Sequence, residues 1–187
     1  IEAGDNGEDV ARKMVEADII RSFDAIYRDM LNVDLVIFPG SYEFPTKLSG
    51  SAALTLLMTR ENRVLVTTTI PEGLTVAQTI PRLAEDLDVS IASIEAAIET
   101  QLERLPDNAP SIEGYLFPAT YSFDPGVTAD QVITAMVDRM EQELAGFEIS
   151  LKDSLEIVTL ASIIQSEGRL TDDFYKISRV FLNRLDV

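Results

Sequence analysis

Ile70-Pro71-Glu72-Gly73 repeats, at an offset of 69 residues, the opening Ile1-Glu2-Ala3-Gly4. Behind each copy the apolar positions recur at helical spacing: Val10, Ala11 and Met14 in the first, Thr79, Ile80 and Leu83 in the second. Each copy therefore predicts one small unit. A strand ends at the glycine, a short helix follows (residues 7–17 and 75–86), and a second helix starts at a serine N-cap, Ser22 or Ser90. A returning strand closes the unit, over Leu35 to Phe44 with Pro39-Gly40 as a bulge or turn, and over Tyr115 to Phe123. Between the copies, Ser51 to Arg60 predicts a helix and the Val- and Thr-rich Arg63 to Ile70 a strand.

Asp107-Asn108-Ala109-Pro110-Ser111 is a polar, proline-bearing connector and marks a module boundary. The chain then divides into residues 1–62, 63–110 and 111–187, and its class is α+β. Glu113-Gly114-Tyr115-Leu116-Phe117-Pro118-Ala119-Thr120-Tyr121-Ser122-Phe123 follows, dense in aromatic rings. Rings and hydroxyls on an irregular backbone suit the wall of a saccharide site, and equally suit an ordinary core. Glu113 has two readings: it binds substrate, or it holds this loop by accepting backbone hydrogen bonds. Glu72 reads as an acid ordering the turn before a helix N-terminus, where the dipole favours a carboxylate.

The C-terminal part is helical. Thr128 and Gln131 form a capping box ahead of Val132, Met136, Met140 and Leu144. Ser150 with Asp153 caps a helix that is apolar on nearly every face, through Leu155, Ile157, Val158, Leu160, Ala161, Ile163 and Ile164, and it ends in Glu167-Gly168. The spacing of Ile157, Leu160, Ile164 and Glu167 puts the carboxylate on a stripe of aliphatics. Burial and the negative helix end both favour a protonated carboxyl, the state a general acid needs. Thr171-Asp172-Asp173 caps a last helix whose buried stripe is Ile177, Val180, Phe181 and Leu185. The paired aspartates read as first-turn acids, so no metal is called for.

Composition removes most other chemistry. The chain of 187 residues, 46% of them hydrophobic, has no cysteine and no histidine, which excludes thiol nucleophiles, Ser-His triads and the usual zinc ligand sets. Carboxylates must carry any proton transfer. A net charge of −17 argues against nucleic acid and anionic membrane surfaces as partners. No apolar run approaches the roughly 20 residues needed to span a bilayer.

Leu160-Ala161-Ser162-Ile163-Ile164-Gln165-Ser166-Glu167 followed by Val180-Phe181-Leu182-Asn183-Arg184-Leu185 resembles the signature of the MltG/YceG-like endolytic murein transglycosylases. Pro39-Gly40-Ser41-Tyr42-Glu43, Ile70-Pro71-Glu72-Gly73 and Glu113-Gly114-Tyr115-Leu116-Phe117-Pro118 resemble further elements of that family. One departure is Ala119, where the family carries Asp. The resemblance implies that Glu167 is the catalytic acid, that Glu113, Tyr115, Tyr121 and Asn183 bind substrate, and that Arg184 bonds carboxylates or carbonyls. It implies no cofactor. It also implies cleavage of the β-1,4 bond from N-acetylmuramic acid to N-acetylglucosamine, leaving a 1,6-anhydro-muramyl end, with peptidoglycan strands as substrate and peptidoglycan synthases as neighbours. The expected location is the extracytoplasmic face of a bacterial membrane, with an anchor before Ile1 and a further catalytic segment after Val187. The strand-helix-helix-strand units look like LysM modules, which bind N-acetylglucosamine-containing glycans.

Two other classes follow from the same residues. One is a glycan-binding or scaffold piece without catalysis. The other is a pyridoxal-phosphate lyase, since relatives carry an aminodeoxychorismate lyase label, but none of Lys13, Lys47, Lys152 and Lys176 lies in a glycine-rich phosphate cradle.

Overall fold

The computed structural model describes every residue except 34–35, 60–61, 169–170 and 186–187, and of 171–172 only the backbone. The chain is α+β. In order it runs α1 (Gly7–Glu16), α2 (Phe23–Leu31), α3 (Gly50–Met58), β1 (Val66–Thr69), α4 (Val76–Leu87), α5 (Ile91–Gln101), β2 (Thr120–Phe123), α6 (Ala129–Ala145), α7 (Leu155–Glu167) and α8 (Thr171–Leu185). Two compact units result: Ile1–Val66 with Phe123–Pro125, and Thr67–Ser122 with Gly126–Val187. The Asp107–Ser111 connector lies inside the second unit, where α5 before it packs on α6 after it.

The first unit closes over Val10, Ala11, Met14, Ile20, Ile26, Met30, Ala53, Leu54 and Leu57, so the buried faces of α1, α2 and α3 meet. Spacings of three and four residues within each helix put these side chains on one stripe. The second unit buries Leu83, Ile94, Leu105, Tyr115, Val132, Ile133, Met136 and Val137. Its small sheet pairs β1 with β2. Thr67 opposite Ser122 and Thr69 opposite Thr120 join through hydroxyls at 3.2 and 3.0 Å, so the strands are antiparallel.

The repeat is visible in the backbone. Gly4 and Gly73 have φ of +99° and +80°. Asn6 and Thr75 cap the helices that follow, their backbone N–H groups donating to the Asp9 carboxylate and the Gln78 amide oxygen at 3.0 Å each. Asp18 and Asp88 are left-handed at the first helix's end, and Ser22 and Ser90 precede the second. The duplication extends to a match that the offset of 69 does not align. Phe38-Pro39-Gly40-Ser41-Tyr42-Glu43-Phe44 parallels Phe117-Pro118-Ala119-Thr120-Tyr121-Ser122-Phe123, at an offset of 79. The Tyr42 hydroxyl donates to the Phe38 carbonyl at 2.6 Å, and the Tyr121 hydroxyl to the Phe117 carbonyl at 2.7 Å. Six residues separate α2 from Phe38 and fifteen separate α5 from Phe117, which hides this correspondence in the sequence.

Several expected elements are shorter or differently placed. In place of a strand over Leu35–Phe44 there are isolated pairings: Gly40 with Ile1, which exchange two backbone bonds, and Tyr42 with Arg63. Leu35 itself lies outside the described residues. Pro39 has no N–H to give and Gly40 has φ +143°, so a continuous ladder cannot form. The strand expected from Tyr115 begins only at Thr120, beyond Gly114 (φ +85°) and Pro118. Ser150 caps a 3-10 turn, Leu151–Asp153, instead of α7, whose N-cap is Ser154. The expected cap at Thr171–Asp172 involves side chains outside the described residues.

Candidate active site

Glycine contacts seat α7. Gly114 turns the loop ahead of β2, and a Cβ built on it would lie 2.8 Å from Val158 Cγ1, so only glycine lets the loop meet the helix. Two turns further on, Gln165 Nε2 lies 3.5 Å from the Cβ position of Gly73, so the same side of α7 passes the Ile70-Pro71-Glu72-Gly73 turn. At the helix end, the Phe174 ring of α8 lies where a side chain on Gly168 would be. Gly168 closes the helix with its N–H on the Ile164 carbonyl at 2.9 Å.

Glu167 points elsewhere. Nine residues at about 100° each carry it to the far side of α7 from Val158, and it is exposed. The helix as a whole is not enclosed as its composition predicts. Val158 is its one buried residue, at 9% exposure, while Ile157 is 46% and Ile163 37% exposed. The stripe of Leu160, Ile164 and Glu167 is half-buried at the aliphatics and open at the acid, so burial does not surround the carboxylate among the described residues. The reason is geometric: the loop at Gly114 covers one side and α8 another, and the remaining faces meet solvent. The stripe expected on α8 is likewise open, with Val180 and Leu185 exposed.

Glu113 is exposed and accepts from the Val76 N–H at 3.0 and 3.3 Å, one bond to each carboxylate oxygen. It therefore occupies the N-terminus of α4, where orphan N–H groups and the dipole favour an anion. Tyr115 does not offer a ring to a ligand. It is 1% exposed, packed in the core with its hydroxyl 3.5 Å from Ser154 Oγ. Tyr121 is 9% exposed and its hydroxyl is the latch to Phe117; burial pushes its pKa up to about 12. The two tyrosines expected to bind substrate thus present little of their rings to solvent. Ala119, the departure from the family pattern, accepts the Ile70 N–H at 2.9 Å through its carbonyl. Asn183 stands exposed on α8, as does Arg184.

Three motifs distant in sequence thus converge in the second unit: the Gly73 turn, the Glu113-Gly114 loop and α7. A profile of the YceG-like family matches residues 1–187. The chain belongs to the YceG-like family. Among curated relatives, an endolytic murein transglycosylase of Streptococcus pneumoniae serotype 2 (strain D39) is 30% identical over 222 residues, covering all of this chain and 40% of the relative. An endolytic murein transglycosylase of Bacillus subtilis (strain 168) is 29% identical over 138 residues, covering 63% of this chain and 38% of the relative. This YceG-like chain spans about two fifths of the length of these relatives. A crystal structure of a YceG-like protein from Listeria monocytogenes superposes with a TM-score of 0.50 at 24% identity, over all of this chain and 69% of that one, and supports the fold.

Sequence reasoning did not single out Val158, Gln165 and Phe174 as parts of the site. The available signal was the glycines beside them, since Gly73, Gly114 and Gly168 each stand in or next to a motif the sequence reading quoted.

Proposed function

We propose that this chain is the acid-bearing part of an endolytic peptidoglycan lytic transglycosylase, with Glu167 as its single catalytic carboxylate. The observation that carries the reading is the exposed Glu167 at the end of a helix held by Gly114 and by the ring at Gly168. The names of the curated relatives support the reaction class. Two-carboxylate hydrolysis needs a second acid to act as nucleophile or to activate water. Glu113, the acid singled out beside the motifs, is engaged at the N-terminus of α4.

In the proposed cycle the Glu167 carboxyl gives its proton to the glycosidic oxygen, the bond from that oxygen to C1 of N-acetylmuramic acid breaks, and an oxocarbenium-like centre forms. The departing N-acetylglucosamine keeps the proton as its 4-hydroxyl. The Glu167 carboxylate then takes the proton of the C6 hydroxyl, whose oxygen bonds to C1 and closes the 1,6-anhydro ring. Glu167 ends protonated, as it began, and no water is consumed. Asn183, exposed on α8, is proposed to hold substrate hydroxyl or acetamido groups. The order β1-α4-α5-β2 in the second unit supports a LysM-like role in holding the glycan, at the outer face of a bacterial membrane beside the synthases that make it.

The test is digestion of purified peptidoglycan by the full-length protein and by its Glu167→Gln variant, with products read by mass spectrometry. Anhydro-muramyl ends from the first and none from the second support the proposal. Equal yields from both would remove Glu167 as the acid, and wall binding without cleavage would favour a glycan-holding scaffold.

A further inference from the structure

We propose that Phe174 is a positioning residue for Glu167, acting through the backbone of Gly168; the inference rests on the reading of Glu167 as the acid. A Cβ at Gly168 would overlap Cε1 and Cδ1 of the Phe174 ring. Real Cβ atoms do not approach that closely, so the ring lies against the α-carbon of Gly168 and takes the place of a side chain there. Gly168 has φ −81° and ψ 133°, a conformation open to any residue. Its glycine is explained by the ring and not by backbone strain.

The consequence falls on the residue before it. Gly168 is the C-cap of α7, tied on one side by its N–H to the Ile164 carbonyl at 2.9 Å and on the other by the ring. Helix ends fray unless such contacts hold them. Glu167 is exposed and starts from this last turn, so the Phe174 contact fixes the origin of its side chain and the direction of the helix-end carbonyls near it. Phe174 itself is half-buried and sits in the first part of α8, which makes the contact between its ring and Gly168 the feature that aims the acid.

The experiment has two independent arms. Amide hydrogen exchange at Gly168, read by NMR on this chain, is compared for the unaltered protein, Phe174→Ala, Phe174→Tyr, Gly168→Ala and the double variant Gly168→Ala/Phe174→Ala. Peptidoglycan cleavage by the full-length protein is measured for the same set and for Glu167→Gln. Phe174→Ala is expected to raise exchange at Gly168 about tenfold, and to lower kcat by about tenfold with KM unchanged. Phe174→Tyr restores both. Gly168→Ala displaces the ring and has the same effect alone, whereas in the double variant its added Cβ finds room and causes no further loss. Unchanged exchange in Phe174→Ala, or additive losses in the double variant, would overturn the inference. Cleavage that persists in Glu167→Gln while exchange responds as expected would instead overturn the reading of the acid and leave the contact standing.

Discussion

Val158 Cγ1 occupies the space beside Gly114, 2.8 Å from where a Cβ on that glycine would be. Gly114 also has φ +85°, in the region where side chains are costly. Gly114→Ala therefore meets two penalties, one in the backbone and one against Val158, the only buried residue of α7. We expect a loss of about 2 kcal/mol or more, measured by chemical denaturation of the second unit. Truncating Val158 to Ala in the same background should recover part of the steric component but not the backbone component.

Glu113 caps α4 from a distant loop. Glu113→Ala should lower stability by about 1 kcal/mol, and Glu113→Gln by less, because the amide oxygen still accepts from Val76. If Glu113 only caps the helix, the cleavage rate of Glu113→Gln stays within about twofold of the unaltered protein. A far larger loss with unchanged stability would return Glu113 to the substrate-binding role.

Tyr121 makes the fold sensitive to alkali. Burial raises its folded-state pKa to about 12, from an unfolded value of 10.0. Between these values the folded protein retains a proton that the unfolded chain has released, so stability falls as pH rises through the window. Its contribution is complete below pH 10, where the hydroxyl donates to Phe117. Denaturant midpoints taken from pH 9 to pH 12 should decline, and Tyr121→Phe should flatten part of that decline while costing about 1 kcal/mol at neutral pH. An unchanged slope in the variant would show that other groups govern it.

Glu167 is exposed, so its removal should separate function from folding. Glu167→Gln is expected to leave stability within about 0.5 kcal/mol, while anhydro-muramyl product disappears. A large fall in stability would mean that the side chain holds structure.

Arg104 bridges the turn after α5 to α6, with Nη2 at 2.7 Å from Asp138 and 2.8 Å from Glu141 and Nη1 donating to the Gln101 side chain at 2.9 Å. Burial opposes its charge, and the Asp138 and Glu141 carboxylates outweigh that and raise its pKa. Arg104→Met keeps the stem and removes the charge. It should cost about 1 kcal/mol at low salt and less at high salt, seen as a smaller difference in melting temperature.

Local chemistry was readable from the sequence. The helix starts at Ser90 and Thr128, the left turns at Gly4 and Gly73, and the order of two helices behind each turn all depend on residues within a few positions of one another. The motif leading to Glu167 was equally plain, and the family assignment rests on a profile match over residues 1–187. Long-range packing was not readable. The apolar composition of α7 predicted a buried helix, yet burial is decided by which other elements reach each face, and only Val158 is enclosed. Tyr115 and Tyr121 carry groups fit for a sugar or for a core, and both rings are buried. The sequence by itself determined the repeat, the caps at Ser90 and Thr128 and the position of Glu167 along its helix. Tertiary structure alone decided which face of that helix is covered and what touches its end, since those depend on contacts between residues such as Gly114 and Val158 that no local pattern brings together.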